Sequence, residues 1–163
     1  EVLGISESFD EAVLKGLIAA GTKISHKGGV IMSVNDNDKQ GVIPMAEDLS
    51  HMGYDIYATP GTAHALSAAY LPASVIGGFS DPSPNMENLF SSGRLALIVN
   101  TPTRGRDSQK NGFKLRRKAV EYRIPCITSI DTLGALTRSL KLGKEDGDIE
   151  PIGLHELKQN VKI

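Results

Sequence analysis

The 163-residue chain lacks the features of disulfide-bonded and membrane-spanning proteins. It contains one cysteine, Cys126, so an internal disulfide is impossible, which fits a reducing compartment. Cys126 lies in an apolar run, and we interpret it as a buried strand residue and not as a nucleophile. No run approaches the ~20 apolar residues that a membrane-spanning helix needs. The sequence therefore favours a cytoplasmic protein.

The amino terminus lacks an initiator methionine, a basic segment and a signal-peptide core. Because native chains normally begin with Met, we expect a fragment or a processed product that holds only part of an activity.

A large net charge is also missing, since the formal charge is −1. A near-neutral protein has no global electrostatic attraction to nucleic acid or to an anionic membrane.

Several catalytic and metal-binding motifs are missing as well. The sequence has no dinucleotide-binding glycine fingerprint, no P-loop and no nucleophilic serine elbow. The histidines lack the spacing of metal ligands; they are His26, His51, His64 and His155. We therefore expect no catalytic residue, no metal site and no cofactor in this protein.

Short apolar segments alternate with amphipathic segments along most of the sequence. The near-continuous apolar runs predict buried parallel strands over residues 30–34, 54–58, 73–76, 95–99 and 125–128. The amphipathic runs predict helices over residues 8–20, 38–52, 63–69, 85–91, 114–122 and 132–142. The connection rules then indicate a right-handed, doubly wound, five-stranded parallel sheet in a three-layer α/β sandwich.

The sequence divides into three predicted parts. Residues 1–28 form a lead-in helix and linker, residues 29–143 form the α/β domain, and residues 144–163 form a charged C-terminal tail. In that tail we expect Leu154 and Leu157 to dock a last helical turn.

Polar loops follow several predicted strands, and such loops meet at one edge of a parallel sheet. In the turn Thr59–Thr62, hydroxyls flank Gly61 at the start of a helix, where backbone N–H groups and the helix dipole favour an anion. Lys39 would add positive charge after the first strand, and Arg104 or Arg106 after the fourth. A simple helix cap, with Thr62 as the N-cap, explains the same turn.

Other polar residues also have simple structural explanations. Asn100 could close a turn by bonding its own backbone, and Arg116 with Arg117 could form a solvated helix face. Asp36 and Asp38 could be a carboxylate pair for proton transfer, but Asp38 is better explained as a helix N-cap. The residue patterns thus indicate a parallel α/β domain whose polar rim could bind a small anion.

Three groups of motifs resemble the methylglyoxal-synthase-like domain. They are residues 29–34 with Asp38-Lys39, residues 53–63, and residues 97–102 followed by Arg104-Gly105 and residues 115–120. The most similar version is the one that ends carbamoyl-phosphate synthase large chains.

The resemblance implies a flavodoxin-like domain that receives an allosteric nucleotide such as UMP or IMP and contributes to oligomerisation. The effector-binding positions that it implies are Lys39, Thr59, Thr62 and Asn100, with Thr101 beside them and Leu115 near the base. The implied partners are the remainder of the large chain and the glutaminase small chain. The whole enzyme would use ATP and Mg to make carbamoyl phosphate for pyrimidine and arginine synthesis.

Two positions depart from the family pattern. Family members often carry a Lys after the third strand, where this sequence has Gly77-Gly78, and a second effector-binding Thr, where this sequence has Pro102. A missing cation near a phosphate commonly costs ~1.5–3 kcal/mol, which is roughly tenfold or more in affinity.

Two alternatives therefore stay open. One is a methylglyoxal-synthase-type lyase acting on dihydroxyacetone phosphate, and the other is a degenerate module used for subunit contacts. We expect Lys39→Ala and Thr62→Val to weaken nucleotide binding without unfolding the protein, because both residues are predicted on an exposed rim.

Overall fold

The computed structural model describes residues 1–102, 111–144, 148–150 and 152–153. The predictions for Arg104, Arg106, Leu154 and Leu157 lie outside these residues. The protein separates into two compact units, Ile24–Leu133 and Glu1–Lys23 with the described residues of Gly134–Ile163. The predicted division after residues 28 and 143 stays a prediction. No helix in the described part of the sequence is long and apolar enough to cross a membrane.

A five-stranded parallel sheet forms the centre of the unit Ile24–Leu133. Its strands are β1 (Gly29–Met32), β2 (Asp55–Ala58), β3 (Ser74–Val75), β4 (Leu95–Val99) and β5 (Cys126–Ile127). Their order in the sheet is β3-β2-β1-β4-β5, and every pairing is parallel. The strand order therefore changes direction across the sheet between β1 and β4, which opens a crevice at the carboxyl ends of these two strands.

The helices are α1 (Phe9–Ala19), α2 (Ile43–His51), α3 (Pro60–Ala68), α4 (Met86–Ser91), α5 (Asn111–Glu121) and α6 (Ile130–Lys141). Helices α2 and α3 contact β2 and each other. Side chains of α4 and α5 instead pack in one buried cluster with Ile31 of β1 and Ile98 of β4. Because right-handed crossovers place α2 and α3 on the other face of the sheet, the predicted doubly wound α/β sandwich is confirmed.

Both faces of the central strands are apolar because both faces are covered. Val30, Ile31 and Met32 of β1 are all fully buried, although successive side chains of a strand point to opposite faces. The same holds for Leu97 and Ile98 of β4. This two-sided burial explains why the strands read as continuous apolar runs and not as alternating ones.

The predicted start of the helix over residues 38–52 was wrong, because Asn35 takes the capping role that we assigned to Asp38. The Asn35 Oδ1 atom accepts hydrogen bonds from the N–H groups of Asn37 at 2.9 Å and Asp38 at 3.2 Å. This cap starts a short 3₁₀ turn over Asp36–Asp38, and α2 begins only at Ile43. The carboxyl end of β1 is therefore followed by a tight turn, which places Lys39 close to the sheet edge.

The interpretation of Thr62 as a helix N-cap was also wrong. Helix α3 begins at Pro60, so Thr59 stands at the N-cap position and Thr62 lies inside the first turn. Proline suits the first helical position because its fixed φ matches the helix and its missing N–H would have no partner there. The Thr62 side chain is consequently available for contacts outside its own helix.

The second unit is held by contacts between α1 and the segment that begins at Gly134. The Arg138 guanidinium pairs with the Asp10 carboxylate at 3.0 Å, and the Ser139 hydroxyl donates to the Asp10 carbonyl at 2.7 Å. The Lys144 ammonium lies 3.1 Å from a Glu11 carboxylate oxygen, and this hydrogen bond lowers the pKa of Glu11.

Candidate functional site

Three of the predicted site residues contact the loop Ser33–Asn35, which follows β1; they are Thr62, Asn100 and Thr101. The Thr62 hydroxyl oxygen accepts a hydrogen bond from the Val34 N–H at 3.2 Å, so the start of α3 is joined to this loop. The Asn100 side-chain amide donates to the Ser33 carbonyl at 2.8 Å, so the end of β4 is joined to it as well. The loops after β1, β2 and β4 therefore converge at one edge of the sheet.

Thr101, which follows Asn100 at the end of β4, holds the same loop. Its hydroxyl oxygen accepts from the Asn35 N–H at 2.9 Å and from the Asn35 side-chain amide at 3.1 Å. The Asn35 amide nitrogen also lies 2.6 Å from a carboxylate oxygen of Asp38. Asn35 thus organises the loop, a role that the sequence analysis did not assign. An Asn at the end of a strand, before an Asp-rich turn, was the available signal.

The Lys39 ammonium lies directly over Gly61. A Cβ atom built on Gly61 would be 2.9 Å from the Lys39 Nζ atom, so a larger residue there would displace the lysine. The Lys39 side chain is 26% exposed and reaches a carboxylate oxygen of Asp36 at 2.6 Å. This hydrogen bond lowers the pKa of Asp36, whose own side chain is 91% exposed. Two of the predicted residues, Lys39 and Gly61, are therefore in close contact.

The first turn of α3 presents backbone N–H groups beside this lysine. Thr59 at the N-cap makes no side-chain capping hydrogen bond, and Pro60 has no N–H group. The first N–H that bonds within the helix is that of Ala63, at 2.8 Å from the Thr59 carbonyl oxygen. The N–H groups of Gly61 and Thr62 precede it and have no intrahelical partner. Together with the helix dipole and the ammonium, they create a positive potential suited to an anion.

Helix α5 supplies a residue that the sequence analysis left undecided. The Arg116 guanidinium donates a hydrogen bond to the Asn100 side-chain oxygen, and a Cβ on Gly112 would lie 3.3 Å from that oxygen. Arg117 instead pairs with Glu121 at 3.0 Å and is 74% exposed. Of the two adjacent arginines, only Arg116 reaches the site. Arg116 lies beside the buried residues Leu115 and Ala119 of α5, and this position was the signal that could have distinguished it from Arg117.

The Gly77-Gly78 segment, where the family pattern has a cation, is bonded to the carboxylate of Asp81. The Asp81 carboxylate accepts a hydrogen bond from the Gly78 N–H at 2.7 Å. A Cβ atom on Gly78 would collide with the side chain of Asn111 at the start of α5. Glycine is therefore required for this close packing, and a lysine at the same position would not fit without rearrangement.

Four of the predicted site residues are buried, namely Thr62, Asn100, Thr101 and Leu115. Leu115 is fully buried in the apolar cluster with Ile31 and Phe90, so the structure does not bring it to the rim. The expectation that Thr62 lies on an exposed rim was wrong, because it is only 1% exposed and bonded to the β1 loop. Among the predicted site residues that the structure describes, Lys39, Thr59 and Gly61 are not buried.

A separate cavity of about 580 Å³ lies away from these residues. Its lining includes Tyr54, Asp55, Ser67 and Ser74. Asp55 and Ser74 open β2 and β3, so this cavity is at the amino ends of the strands, opposite the Lys39 edge. It shares no lining residue with the predicted site. Within the described residues no group of His, Cys, Asp and Glu side chains could hold a metal ion.

Comparison with known proteins agrees with the motifs. Over 147 residues, 90% of its length, the sequence is 38% identical to a protein of Methanopyrus kandleri, the C-terminal section of a carbamoyl phosphate synthase large chain. The matched region is 27% of that relative, so our protein spans about a quarter of its length. Residues 41–128 match the family described as MGS-like domain, which confirms the resemblance drawn from the motifs. Because this match includes more than half of the 163 residues, the protein belongs to the MGS-like domain family.

Proposed function

We propose that this protein is the regulatory domain of a glutamine-dependent carbamoyl-phosphate synthase large chain and that it binds a phosphorylated effector, a nucleotide such as UMP or IMP. One observation carries the proposal: the Lys39 ammonium lies over Gly61 at the start of α3. The similarity to the C-terminal section of such a large chain supports the assignment to this enzyme.

The effector phosphate binds at the first turn of α3. Its oxygens accept hydrogen bonds from the Lys39 ammonium, the Thr59 hydroxyl and the N–H groups of Gly61 and Thr62. Gly61 is needed because it lets both the phosphate and the lysine approach the backbone closely. Charge-assisted hydrogen bonds to phosphate are roughly twice as strong as neutral ones, so this end of the ligand dominates its affinity.

The remainder of the effector extends along the crevice between β1 and β4. Asn100 and Arg116 stand at the β4 side of this crevice and hold each other through a hydrogen bond. Thr101 and Asn35 keep the two loops at a fixed separation. The crevice at a change of strand order is where open α/β sheets bind their ligands, which supports this placement of the nucleoside.

Regulation requires that the effector bind two states of the whole enzyme with different affinity. The partners that would report this difference are the remainder of the large chain, the glutaminase small chain and further copies of the large chain. The enzyme acts in the cytoplasm, in pyrimidine and arginine synthesis, and its ATP and Mg sites lie in other parts of the large chain. The domain itself extends over residues 29–143.

Isothermal titration calorimetry of the 163-residue protein tests the binding step. We expect UMP, IMP or phosphoribosyl pyrophosphate to bind, and uridine, which lacks the phosphate, to bind at least about tenfold more weakly because the charged hydrogen bonds are lost. The absence of heat with all three phosphorylated compounds, or equal binding of uridine and UMP, would contradict the proposal.

The lyase alternative is tested separately by incubating the protein with dihydroxyacetone phosphate and measuring methylglyoxal. Such a reaction needs a carboxylate base near the phosphate site. Asp36 is next to Lys39, but the hydrogen bond from Lys39 lowers its pKa, which makes it a weaker base. We therefore expect no methylglyoxal above the rate without protein. If UMP and IMP also fail to bind, the degenerate structural module is the better account of the protein.

A further inference from the structure

The Lys118 ammonium is surrounded by three aromatic rings from different parts of the sequence. It lies 5.8 Å from the ring centre of Phe79, 5.9 Å from that of Phe90 and 5.5 Å from that of Tyr122. The sequence contains only four Phe, four Tyr and no Trp, so three of its eight aromatic residues lie around this one cation. A cation within about 6 Å of a ring centre is attracted by the ring, and one such pair per 70–80 residues is usual.

This cation is also paired with a carboxylate. Glu87 of α4 lies 2.9 Å from the Lys118 Nζ atom, and this hydrogen bond raises the pKa of Lys118. The lysine therefore keeps its charge at neutral pH. Phe90 contacts the Phe79 ring at 6.0 Å and the Tyr122 ring at 5.1 Å, which holds the rings together around the cation.

The ring cluster connects three elements through one side chain. Lys118 belongs to α5, Glu87 and Phe90 belong to α4, and Phe79 belongs to the loop Gly77–Asp81 that follows β3. This loop also reaches the start of α5, because a Cβ on Gly78 would collide with Asn111.

The loop Gly77–Asp81 borders the candidate site through the start of α5. Gly112 follows Asn111, and a Cβ on Gly112 would lie 3.3 Å from the Asn100 side-chain oxygen. Phe79 is the residue after Gly78, so the rings around Lys118 anchor the loop next to its contact with α5. We propose that Lys118 is a positioning residue, which holds the loop Gly77–Asp81 in place beside the effector site. This inference rests on the proposed function.

Three variants of the 163-residue protein test the role of Lys118. Lys118→Met removes the charge and introduces a flexible apolar side chain that can still pack among the rings. Lys118→Arg keeps the charge and can still stack on the rings. Arg117→Met is the matched control, because it removes the neighbouring cation of α5, which is exposed and pairs with Glu121. Each variant is compared with the wild type by hydrogen exchange and by UMP calorimetry.

Hydrogen exchange reads the loop directly, without any ligand. The N–H of Gly77 donates to the Pro84 carbonyl at 3.0 Å, and that of Gly78 donates to Asp81 at 2.7 Å. We expect Lys118→Met to speed exchange of these two amides and to weaken UMP binding, each by about 5- to 10-fold. Lys118→Arg should restore both values toward those of the wild type, and Arg117→Met should leave both unchanged.

The two readouts separate the inference from the proposed function. Unchanged exchange in Lys118→Met, or equal effects of Lys118→Met and Arg117→Met, would overturn the anchoring of the loop. Faster exchange with unchanged UMP affinity would show that the anchoring is only structural and would overturn the positioning role. If the wild type binds none of UMP, IMP and phosphoribosyl pyrophosphate, the proposed function fails and the positioning role with it, whatever the exchange rates show.

Discussion

Replacing Thr62 with Val removes one hydroxyl group from the interior and leaves the shape of the side chain nearly unchanged. The Thr62 oxygen accepts the hydrogen bond of the Val34 N–H at 3.2 Å, and Thr62 is 1% exposed. A Val at this position offers a methyl group in place of the acceptor. The Val34 N–H is then left without a partner in a place that water does not reach.

The magnitude follows from the cost of an unsatisfied buried donor, which is about 1–3 kcal/mol. We expect Thr62→Val to lower the free energy of unfolding by this amount. For a protein of this length, each kcal/mol lowers the melting temperature by roughly 2–4 °C. The melting temperature should therefore fall by roughly 2–12 °C. Because this bond joins the start of α3 to the loop after β1, UMP binding should weaken as well.

Urea denaturation measures the stability change, and hydrogen exchange of the Val34 amide localises it. Thr59→Val is the matched control, because the Thr59 hydroxyl makes no capping bond and lies 3.3 Å from the Thr62 hydroxyl. We expect this control to change stability by less than about 0.5 kcal/mol, as for a surface substitution, while it weakens phosphate binding. Thr62→Val with wild-type stability and a protected Val34 amide would refute the reasoning.

The remaining predictions concern charge and access at the site and at the single cysteine. Lys39→Ala should weaken UMP binding by about tenfold and leave the melting temperature unchanged. The control Lys27→Ala, at an exposed lysine, should change neither the UMP affinity nor the melting temperature. Equal UMP affinities of Lys39→Ala and the wild type would remove Lys39 from the site. Asp36→Asn should strengthen UMP binding in calorimetry, because it removes a carboxylate that competes for Lys39; a weaker complex would show that Asp36 helps to bind the effector. Gly61→Ala should weaken binding without loss of stability in urea, because the new Cβ displaces only the flexible end of Lys39; a less stable variant would mean that the backbone has shifted. Cys126, which we interpreted as buried, is only half-buried, and this partial burial raises the pKa of its thiol. Iodoacetamide at about pH 8 should therefore react more slowly with the folded protein than with the urea-unfolded protein, and equal rates would contradict the partial burial.

The fold could be predicted from the sequence because its signal is local and redundant. All five strands were predicted, and the two central strands β1 and β4 were the clearest, since strands covered on both faces read as continuous apolar runs such as residues 95–99. The start of α2 was not predicted correctly, because Asn35 caps a separate 3₁₀ turn and α2 begins only at Ile43, where Val42 at the N-cap makes no side-chain capping bond that a sequence pattern could signal.

For the site, the sequence predicts which loops converge at the carboxyl ends of the strands, but it does not predict the contacts between their side chains. The convergence of Lys39, Gly61 and Asn100 follows from the parallel sheet alone. The burial of Thr62 does not follow, because it depends on a hydrogen bond to the N–H of another loop. The contact between Arg116 and Asn100 likewise requires the angle between α5 and the sheet, which no local pattern contains.

The polar groups at the sheet edge divide into those that hold the protein together and those that remain for a ligand. The hydroxyl oxygens of Thr62 and Thr101 both accept hydrogen bonds from the β1 loop, so they fix the distance between strands. Lys39 pairs with an exposed carboxylate, which an anion can replace, and the first N–H groups of α3 lie beside it. A ligand with one compact, strongly charged group satisfies this arrangement better than a neutral one does. In the proposed function, the loop contacts therefore preorganise the site, and Lys39 and α3 select a phosphate.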